Sequence, residues 1–188
     1  MRFTQLEIAG AWLIDIEPHE DERGFFARTY CVREFAEHGL VGTIAQCSTS
    51  FNARRGTLRG LHYQVAPNEE AKVVRCTSGA IFDVVVDLRA SSTTYGKWRS
   101  AELSANNRRM LYIPPGVAHG FQTTEDETEV YYQISTEYVA EASRGIRWDD
   151  PVLAIDWPLL RGPIISERDR SYPPFLEVRG PQTTKAAE

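Results

Sequence analysis

The sequence lacks the features of membrane, secreted and nucleic-acid-binding proteins. No run approaches the roughly 20 apolar residues of a membrane span, and no apolar segment with a cleavage site opens the chain. The three cysteines are odd in number and have no CxxC spacing, so they predict neither a disulfide framework nor a thiolate metal site. The formal net charge of −5 argues against nonspecific nucleic-acid binding. We therefore expect a cytoplasmic protein with neither a membrane nor a nucleic acid as partner.

The chain does have the composition of an ordinary globular domain. Its 188 residues suffice for one sizeable core, and 42% of them are hydrophobic and 25% charged. No dinucleotide fingerprint of the GxGxxG kind is present, so a redox enzyme using NAD has no support. We predict a single domain over residues 1–188. After an irregular, Pro-rich stretch that begins near Pro151, residues 176–188 are predicted to form a disordered tail.

Short apolar runs separated by turn residues indicate many β-strands. A helix is predicted over Thr29–Leu40, where apolar residues recur at helical spacing and a glycine stands near the end. Many short strands at regular spacing predict an all-β sandwich or barrel with one or two short helices. The strongest predicted strands are Lys72–Cys76, Ala80–Leu88, Met110–Ile113 and Glu129–Ser135.

The stretch Thr57–Gln64 is a predicted strand that carries a histidine. Successive side chains of a strand point to opposite faces, so His62 should share one face with Gly60 and Gln64, and Arg59 should lie on the other. A glycine so close to a histidine leaves room for a ligand to approach the imidazole. This strand is therefore the first candidate for a functional site.

A second histidine, His119, follows a tight turn at residues 114–116. The two motifs, Gly-x-His on a strand and Pro-x-Gly-x-x-His downstream, resemble those of the cupin superfamily, whose fold is a small jelly-roll antiparallel β-barrel. Metal-dependent cupins carry His-x-His and a downstream glutamate, because a divalent ion needs three or four N or O ligands on one face. Here Gln64 replaces the second histidine of that pair. The sequence therefore predicts no metal site and no cofactor.

His62 and a tyrosine, Tyr132, are candidates for acid–base chemistry. Tyr132 alternates with two aliphatic residues of its predicted strand, which places it inward. Either residue alone could be a hydrogen-bonded interior side chain. The cationic Arg59 and Lys72 on neighbouring strands favour a site, since a purely structural barrel has apolar side chains there. Histidine and tyrosine suit the roles of general base and general acid, respectively.

Six segments of the chain, in a fixed order, form a recognisable series. They are Arg23–Phe26, Gly56–Gln64, Asp83–Arg89, Ile113–Phe121, Gly145–Pro151 and Ile164–Asp169. The series resembles the dTDP-4-dehydrorhamnose 3,5-epimerase family over nearly the whole chain, and LRGLHYQ with PPGxAHGF is its most specific part. The resemblance implies a cofactor-independent isomerase that converts dTDP-4-dehydro-6-deoxy-D-glucose to dTDP-4-dehydro-L-rhamnose, for dTDP-rhamnose and polysaccharide biosynthesis.

The resemblance also implies roles for individual residues. In a 4-keto sugar the ketone acidifies the protons on C3 and C5, so a base can form an enolate, and a proton can return on the opposite face. By resemblance His62 is the base and Tyr132 is the acid. Asp169 would hold His62 in the right tautomer, as a carboxylate partner does elsewhere. Asp83, on an inward-facing strand, is an alternative partner, and Asp169 taken alone could equally be a solvated charge.

Substrate contacts are implied in the same way. Lys72, with Arg59, is expected to stabilise the enolate oxygen. Strict alternation puts Arg59 opposite His62, so strand twist or a partner subunit would have to bring both to one ligand. Family members are usually homodimers in which an N-terminal strand joins the partner's sheet, and we expect a homodimer here. The predicted substrate-binding residues are Arg23, Arg28, Gln46, Arg59, Lys72, His119 and Arg168.

Several positions depart from the family pattern near the expected substrate. Arg28 and Ser143 stand where the family carries glutamates, and Gln133 and Arg168 stand where it carries lysines. These changes leave open a different nucleotide base, and epimerisation at C3 only or at C5 only. A non-catalytic cupin that binds a sugar nucleotide is a further alternative, and its function would not depend on Tyr132.

Overall fold

The computed structural model describes residues 1–159 and 162–178, and antiparallel strands make up most of the fold. The helices are α1 (Val32–Glu37), α2 (Glu167–Arg170) and α3 (Phe175–Val178), with one 3₁₀ turn at Ala140–Ala142. The strands are β1 (Arg2–Gln5), β2 (Trp12–Asp15), β3 (His19–Asp21), β4 (Gly24–Phe26), β5 (Gln46–Asn52), β6 (Leu58–Gln64), β7 (Lys72–Ser78), β8 (Ala80–Asp87), β9 (Trp98–Ser104), β10 (Met110–Ile113), β11 (Val117–Thr123), β12 (Thr128–Ile134) and β13 (Ser143–Gly145).

Two sheets face each other and enclose the interior. The six-stranded sheet has the order β1-β2-β10-β7-β12-β5, and the five-stranded sheet has the order β13-β6-β11-β8-β9. The β3–β4 hairpin stands apart as a two-stranded sheet. Two facing antiparallel sheets of this kind form a jelly-roll barrel. The all-β prediction is confirmed, and the predicted strands at residues 72, 80, 110 and 129 are all present.

Apolar side chains fill the barrel and cover both of its outer faces. Helix α1 covers the six-stranded sheet through Phe35, and the C-terminal segment covers the five-stranded sheet through Trp157 and Phe175. Side chains from both sheets meet between them, among them Val74, Val85, Leu111, Phe121 and Val130. Burial of this apolar area stabilises the fold at roughly 25 cal/mol per Å².

The helix predicted over Thr29–Leu40 is much shorter in the structure. Helix α1 spans Val32–Glu37 only, and of its apolar side chains Phe35 is buried whereas Val32 is 63% exposed. Most helical stability comes from packing an apolar face, and a single buried anchor supports little more than one turn. Gly39 does lie just beyond the helix with a φ of +68°, as the predicted end signal requires.

Strand β6 does not keep the strict alternation that was predicted. His62 pairs with His119 of β11, but Arg59 pairs with Phe121, so β6 has one residue more than β11 between these two pairs. Because residues 119 and 121 share one face of β11, this bulge returns Arg59 to the face of His62. The predicted placement of Arg59 on the opposite face was wrong for this reason.

A close approach of two strands explains Gly60. A Cβ atom at Gly60 would lie 2.5 Å from the Cα of Gly120 and 2.9 Å from the carbonyl oxygen of His119, and its φ is +125°. The backbone of β11 therefore occupies the space that was expected to admit a ligand beside the imidazole.

The segment after β13 returns the chain to β6. The backbone N–H of Leu58 donates to the carbonyl of Ile164, and the hydroxyl of Ser166 caps helix α2. Helix α2 is thereby held beside β6. Residues 176–178 of the predicted tail belong to helix α3, and 179–188 lie outside the described residues. No helix in the described part of the chain is both long and apolar enough to cross a membrane.

Candidate active site

A cavity of ≈ 200 Å³ opens at one end of the barrel. Strands β5, β6, β7 and β12 reach it with one end each, and β13 and helix α2 complete its wall. Its lining residues are Gln46, His62, Tyr63, Gln64, Glu70, Lys72, Ile134, Tyr138, Ser143 and Arg168. Four of the residues predicted from the sequence, His62, Gln46, Lys72 and Arg168, thus meet at one cavity although they lie far apart in the chain.

His62 is held by a buried carboxylate. Its Nε2 atom lies 2.8 Å from Oδ1 of Asp169, whose other oxygen accepts a hydrogen bond of 3.1 Å from the backbone N–H of Gly60. Burial raises the pKa of Asp169, but the hydrogen bond and charge of His62 outweigh it and hold that pKa below its ordinary value. An ionised Asp169 only accepts hydrogen bonds, so Nε2 of His62 carries a proton and Nδ1 is the basic nitrogen of the neutral ring.

His119 has a carboxylate partner of its own. Its Nε2 atom lies 2.5 Å from Oδ1 of Asp83, and both side chains are buried. Burial raises the pKa of Asp83 above its ordinary value despite this hydrogen bond. Asp83, the alternative partner considered for His62, is therefore engaged by His119, and Asp169 contacts His62.

Tyr132 faces the interior from the sheet opposite His62. It lies on β12, and its ring centroid is 6.3 Å from that of His119, which is in turn the register partner of His62. Its hydroxyl is 3.3 Å from the Ser50 hydroxyl. Burial raises the pKa of Tyr132 above its ordinary value, so the phenol stays protonated and able to donate.

Lys72 reaches the cavity from the start of β7. Its Nζ atom lies 2.7 Å from Oε1 of Glu70, and both side chains are about nine-tenths buried, with 12% and 10% of their surface exposed. Glu70 was not predicted from the sequence, because it occupies the turn between β6 and β7, where no strand pattern draws attention to it.

The remaining polar groups of the cavity lie toward helix α2. The Arg168 guanidinium donates to the Ser143 hydroxyl at 3.0 Å, and the Gln46 side chain accepts from the backbone N–H of Tyr138 at 3.0 Å. Hydrogen bonds from Ser143 and Arg168 lower the pKa of the Tyr138 phenol. Tyr138 was also missed from the sequence, because it lies in the loop after β12.

Arg59 lies near Tyr132 rather than on the lining of this cavity. Its Nε atom donates to the Asn52 side chain at 2.7 Å, and Nη2 reaches the Phe51 carbonyl at 3.4 Å. Its positive charge lowers the pKa of Tyr132, although burial outweighs this effect. Arg59 thus shares the inner face with His62, at the end of β6 remote from Gln64.

Arg23 and Arg28 are not brought to this cavity within one chain. Arg23 pairs with Asp21 inside the β3–β4 hairpin and is 84% exposed. Arg28 donates to Glu34 of helix α1 at 2.9 Å.

The donor set around the two histidines does not suit a metal ion. The Nε2 atoms of His62 and His119 are each engaged by an aspartate. Gln64 is buried, and its amide contacts Asn68, Glu70, Glu137 and Val139. Within the described ranges, no group of three or more His, Cys, Asp or Glu side chains is arranged to hold a metal.

Comparison with known proteins gives one consistent result. The family model described as dTDP-4-dehydrorhamnose 3,5-epimerase matches residues 5–177. The chain is 43% identical over 178 residues to a dTDP-4-dehydrorhamnose 3,5-epimerase from Sinorhizobium fredii, a match that covers 95% of this chain and 91% of that relative. It is 41% identical over 180 residues to a dTDP-4-dehydrorhamnose 3-epimerase from Streptomyces niveus, covering 95% and 86% respectively.

Solved structures agree with the sequence relatives. The crystal structure of dTDP-4-dehydrorhamnose 3,5-epimerase from Elizabethkingia anophelis is similar to this chain with a TM-score of 0.92 and 36% identity, covering 94% of this chain and 97% of that one. This likeness confirms the predicted cupin-type jelly roll.

Proposed function

The chain belongs to the dTDP-4-dehydrorhamnose 3,5-epimerase family, and on this premise we propose that it epimerises C3 and C5 of dTDP-4-dehydro-6-deoxy-D-glucose to give dTDP-4-dehydro-L-rhamnose. The enzyme is an isomerase that needs no cofactor, because the substrate's own ketone acidifies the protons to be moved. We place it in the cytoplasm, as one domain over residues 1–188.

The observation that carries this proposal is the buried carboxylate on His62 at the wall of the cavity. The Asp169 hydrogen bond of 2.8 Å fixes the imidazole tautomer, and the negative charge stabilises the imidazolium that forms when the ring takes a proton. Nδ1 of His62 removes the proton from C3 or C5. The electron pair of the broken C–H bond moves to the C4 oxygen and forms an enolate.

Tyr132, which lies on the facing sheet and not on the lining of the cavity, completes the reaction. Its phenol gives a proton to the enolate carbon on the face away from His62, and this inverts the configuration at that carbon. Lys72 donates to the C4 oxygen while the negative charge resides there. Gln46, Arg168 and Tyr138 bind the nucleotide end, and Arg59 and His119 contact the sugar and diphosphate.

Epimerisation at one carbon only is a second candidate function. The 3-epimerase from Streptomyces niveus is 41% identical over 180 residues, nearly as similar as the 3,5-epimerase from Sinorhizobium fredii at 43%. Both reactions use one base and one acid, so the same residues serve either. The difference lies in whether the sugar ring can present both carbons to His62.

A homodimer would complete the substrate site. Strand β1 is the edge of the six-stranded sheet, and the exposed hairpin carries Arg23 and Phe26, the latter 77% exposed. We propose that this N-terminal region reaches a second copy, where Arg23 and Arg28 contact the partner's substrate. Sedimentation velocity of the full chain measures the association state, and a monomer at micromolar concentration would contradict this arrangement.

Solvent deuterium incorporation into the substrate tests the function. Substrate is incubated in D₂O and followed by NMR, with wild type beside His62→Ala and Tyr132→Phe. Label at both C3 and C5, abolished in His62→Ala, is expected for the 3,5-epimerase. In Tyr132→Phe we expect deuterium to enter at these carbons without a matching inversion of their configuration, because the base still forms the enolate. Label at one carbon identifies a mono-epimerase, and no label with dTDP, CDP or GDP sugars leaves a binding protein.

A further inference from the structure

Glu70 is the one acidic side chain among the residues lining the cavity in the described part of the chain, and the reaction proposed above does not use it. One of its oxygens is 2.7 Å from the ammonium of Lys72, and the other is 3.3 Å from the amide nitrogen of Gln64. Gln64 lies two residues beyond His62 on β6, and Lys72 begins β7. Glu70 therefore connects the strand of the base to the strand of the cation.

Gln64 is itself fixed, so it gives Glu70 a firm support. Its side chain is 3% exposed, and its oxygen accepts from the backbone N–H of Val139 at 2.7 Å. Its nitrogen also contacts the carbonyls of Asn68 and Glu137, at 3.1 and 3.2 Å. A buried ion pair is stable only where further hydrogen bonds satisfy it, and Gln64 supplies such a bond to Glu70.

The pairing changes what Lys72 can do. A free lysine is a mobile point charge whose long stem loses rotamer freedom when it is immobilised. Glu70 removes much of that freedom before substrate arrives, and it also compensates the positive charge. A compensated ammonium attracts a diphosphate weakly, yet it retains N–H donors for an oxygen that becomes negative during the reaction.

We propose that Glu70 is a positioning residue that dedicates Lys72 to the C4 oxygen of the sugar and withholds it from the diphosphate. The proposal rests on the function proposed above, because it assumes that an enolate forms in this cavity. Glu70 touches Lys72 and Gln64 through its two oxygens, so it acts through Lys72 and not as a second base.

Two substitutions separate the effect of Glu70 on the position of Lys72 from its effect on the charge of Lys72. Glu70→Ala removes both the hydrogen-bond acceptor that positions Lys72 and the negative charge that compensates it. In this variant kcat should fall about tenfold or more, because a misplaced donor no longer meets the developing charge. Glu70→Gln keeps an oxygen that accepts from Lys72. The Gln64 nitrogen, which loses its acceptor on residue 70, still donates to the carbonyls of Asn68 and Glu137, so kcat should stay within about threefold of wild type. In both variants Lys72 is uncompensated, and dTDP should bind at least about threefold more tightly at low salt. The matched control is Glu69→Gln, an exposed neighbour with the same change of charge.

Steady-state kinetics gives kcat and KM, and calorimetry gives the Kd of dTDP. Slower turnover in Glu70→Ala together with tighter dTDP binding in both Glu70 variants, absent from Glu69→Gln, supports the proposal. Unchanged kcat in Glu70→Ala, or weaker dTDP binding in Glu70→Gln, overturns it. If Glu70→Ala does not fold, the Kd of dTDP for Glu70→Gln still tests the proposal, because tighter binding supports it and weaker binding overturns it. If wild type epimerises nothing, the proposed function fails, whereas the dTDP measurement still tests the charge compensation.

Discussion

Replacing Asp169 with asparagine should slow the reaction by preventing one hydrogen bond of a pair. The two oxygens of Asp169 accept separately, from Nε2 of His62 at 2.8 Å and from the backbone N–H of Gly60 at 3.1 Å. Asparagine has nearly the same shape but only one oxygen, and its nitrogen is a donor. Either two donors face each other at one of these contacts, or Nε2 of His62 gives up its proton and the hydrogen bond of the active tautomer is lost.

The expected magnitude follows from the burial of this carboxylate. Asp169 is 5% exposed, so an unsatisfied donor beside it costs about 1–3 kcal/mol. If the amide nitrogen faces His62, it favours the tautomer with a proton on Nδ1, and the base is then already protonated. A loss of this size from transition-state stabilisation corresponds to a decrease in kcat of about 5- to 150-fold.

The assay is solvent deuterium incorporation at C3 and C5 by NMR, with Glu167→Gln as control. Glu167 lies on the same helix and is exposed, so its conversion to an amide should leave the rate unchanged. Because one base serves both carbons, exchange at C3 and at C5 should fall by the same factor in Asp169→Asn. A rate within threefold of wild type, or a loss confined to one carbon, would refute the reasoning.

Two further predictions concern stability. Burial raises the pKa of Asp87, but hydrogen bonds from Arg89 and two hydroxyl groups outweigh it and lower that pKa from 3.8 to about 2. The ionised Asp87 therefore stabilises the fold above pH 3.8, and Asp87→Asn should lower the free energy of unfolding by about 2 kcal/mol at pH 7. In urea titrations, the difference between wild type and Asp87→Asn should vanish as the pH falls through about 2. A difference that is constant with pH would contradict this. Gly60→Ala should lower the free energy of unfolding by more than about 2 kcal/mol, because the added Cβ would meet Gly120. Gly24 has a similar positive φ but open space around it, so Gly24→Ala is the matched control. Equal melting temperatures for these two variants would argue against the close approach.

The sequence alone predicted the fold class and most strands, because alternating apolar residues and turn residues are local signals. It predicted the helix in the right place but too long, since its length depends on how much of one face the rest of the fold covers. Motif resemblance named His62, Lys72, Gln46 and Arg168, and the structure brings these four to one cavity.

Only the tertiary structure decided how these residues are oriented. The bulge that returns Arg59 to the face of His62 depends on the register between β6 and β11, and strict alternation within one strand could not reveal it. Asp169 is 107 residues from His62 in sequence. The resemblance implied their pairing and left Asp83 as an alternative, and the folded chain pairs His62 with Asp169 and His119 with Asp83. The contact between Glu70 and Lys72 likewise depends on a turn whose shape no local pattern specifies. Local periodicity determines which elements form, and long-range packing determines which side chains meet.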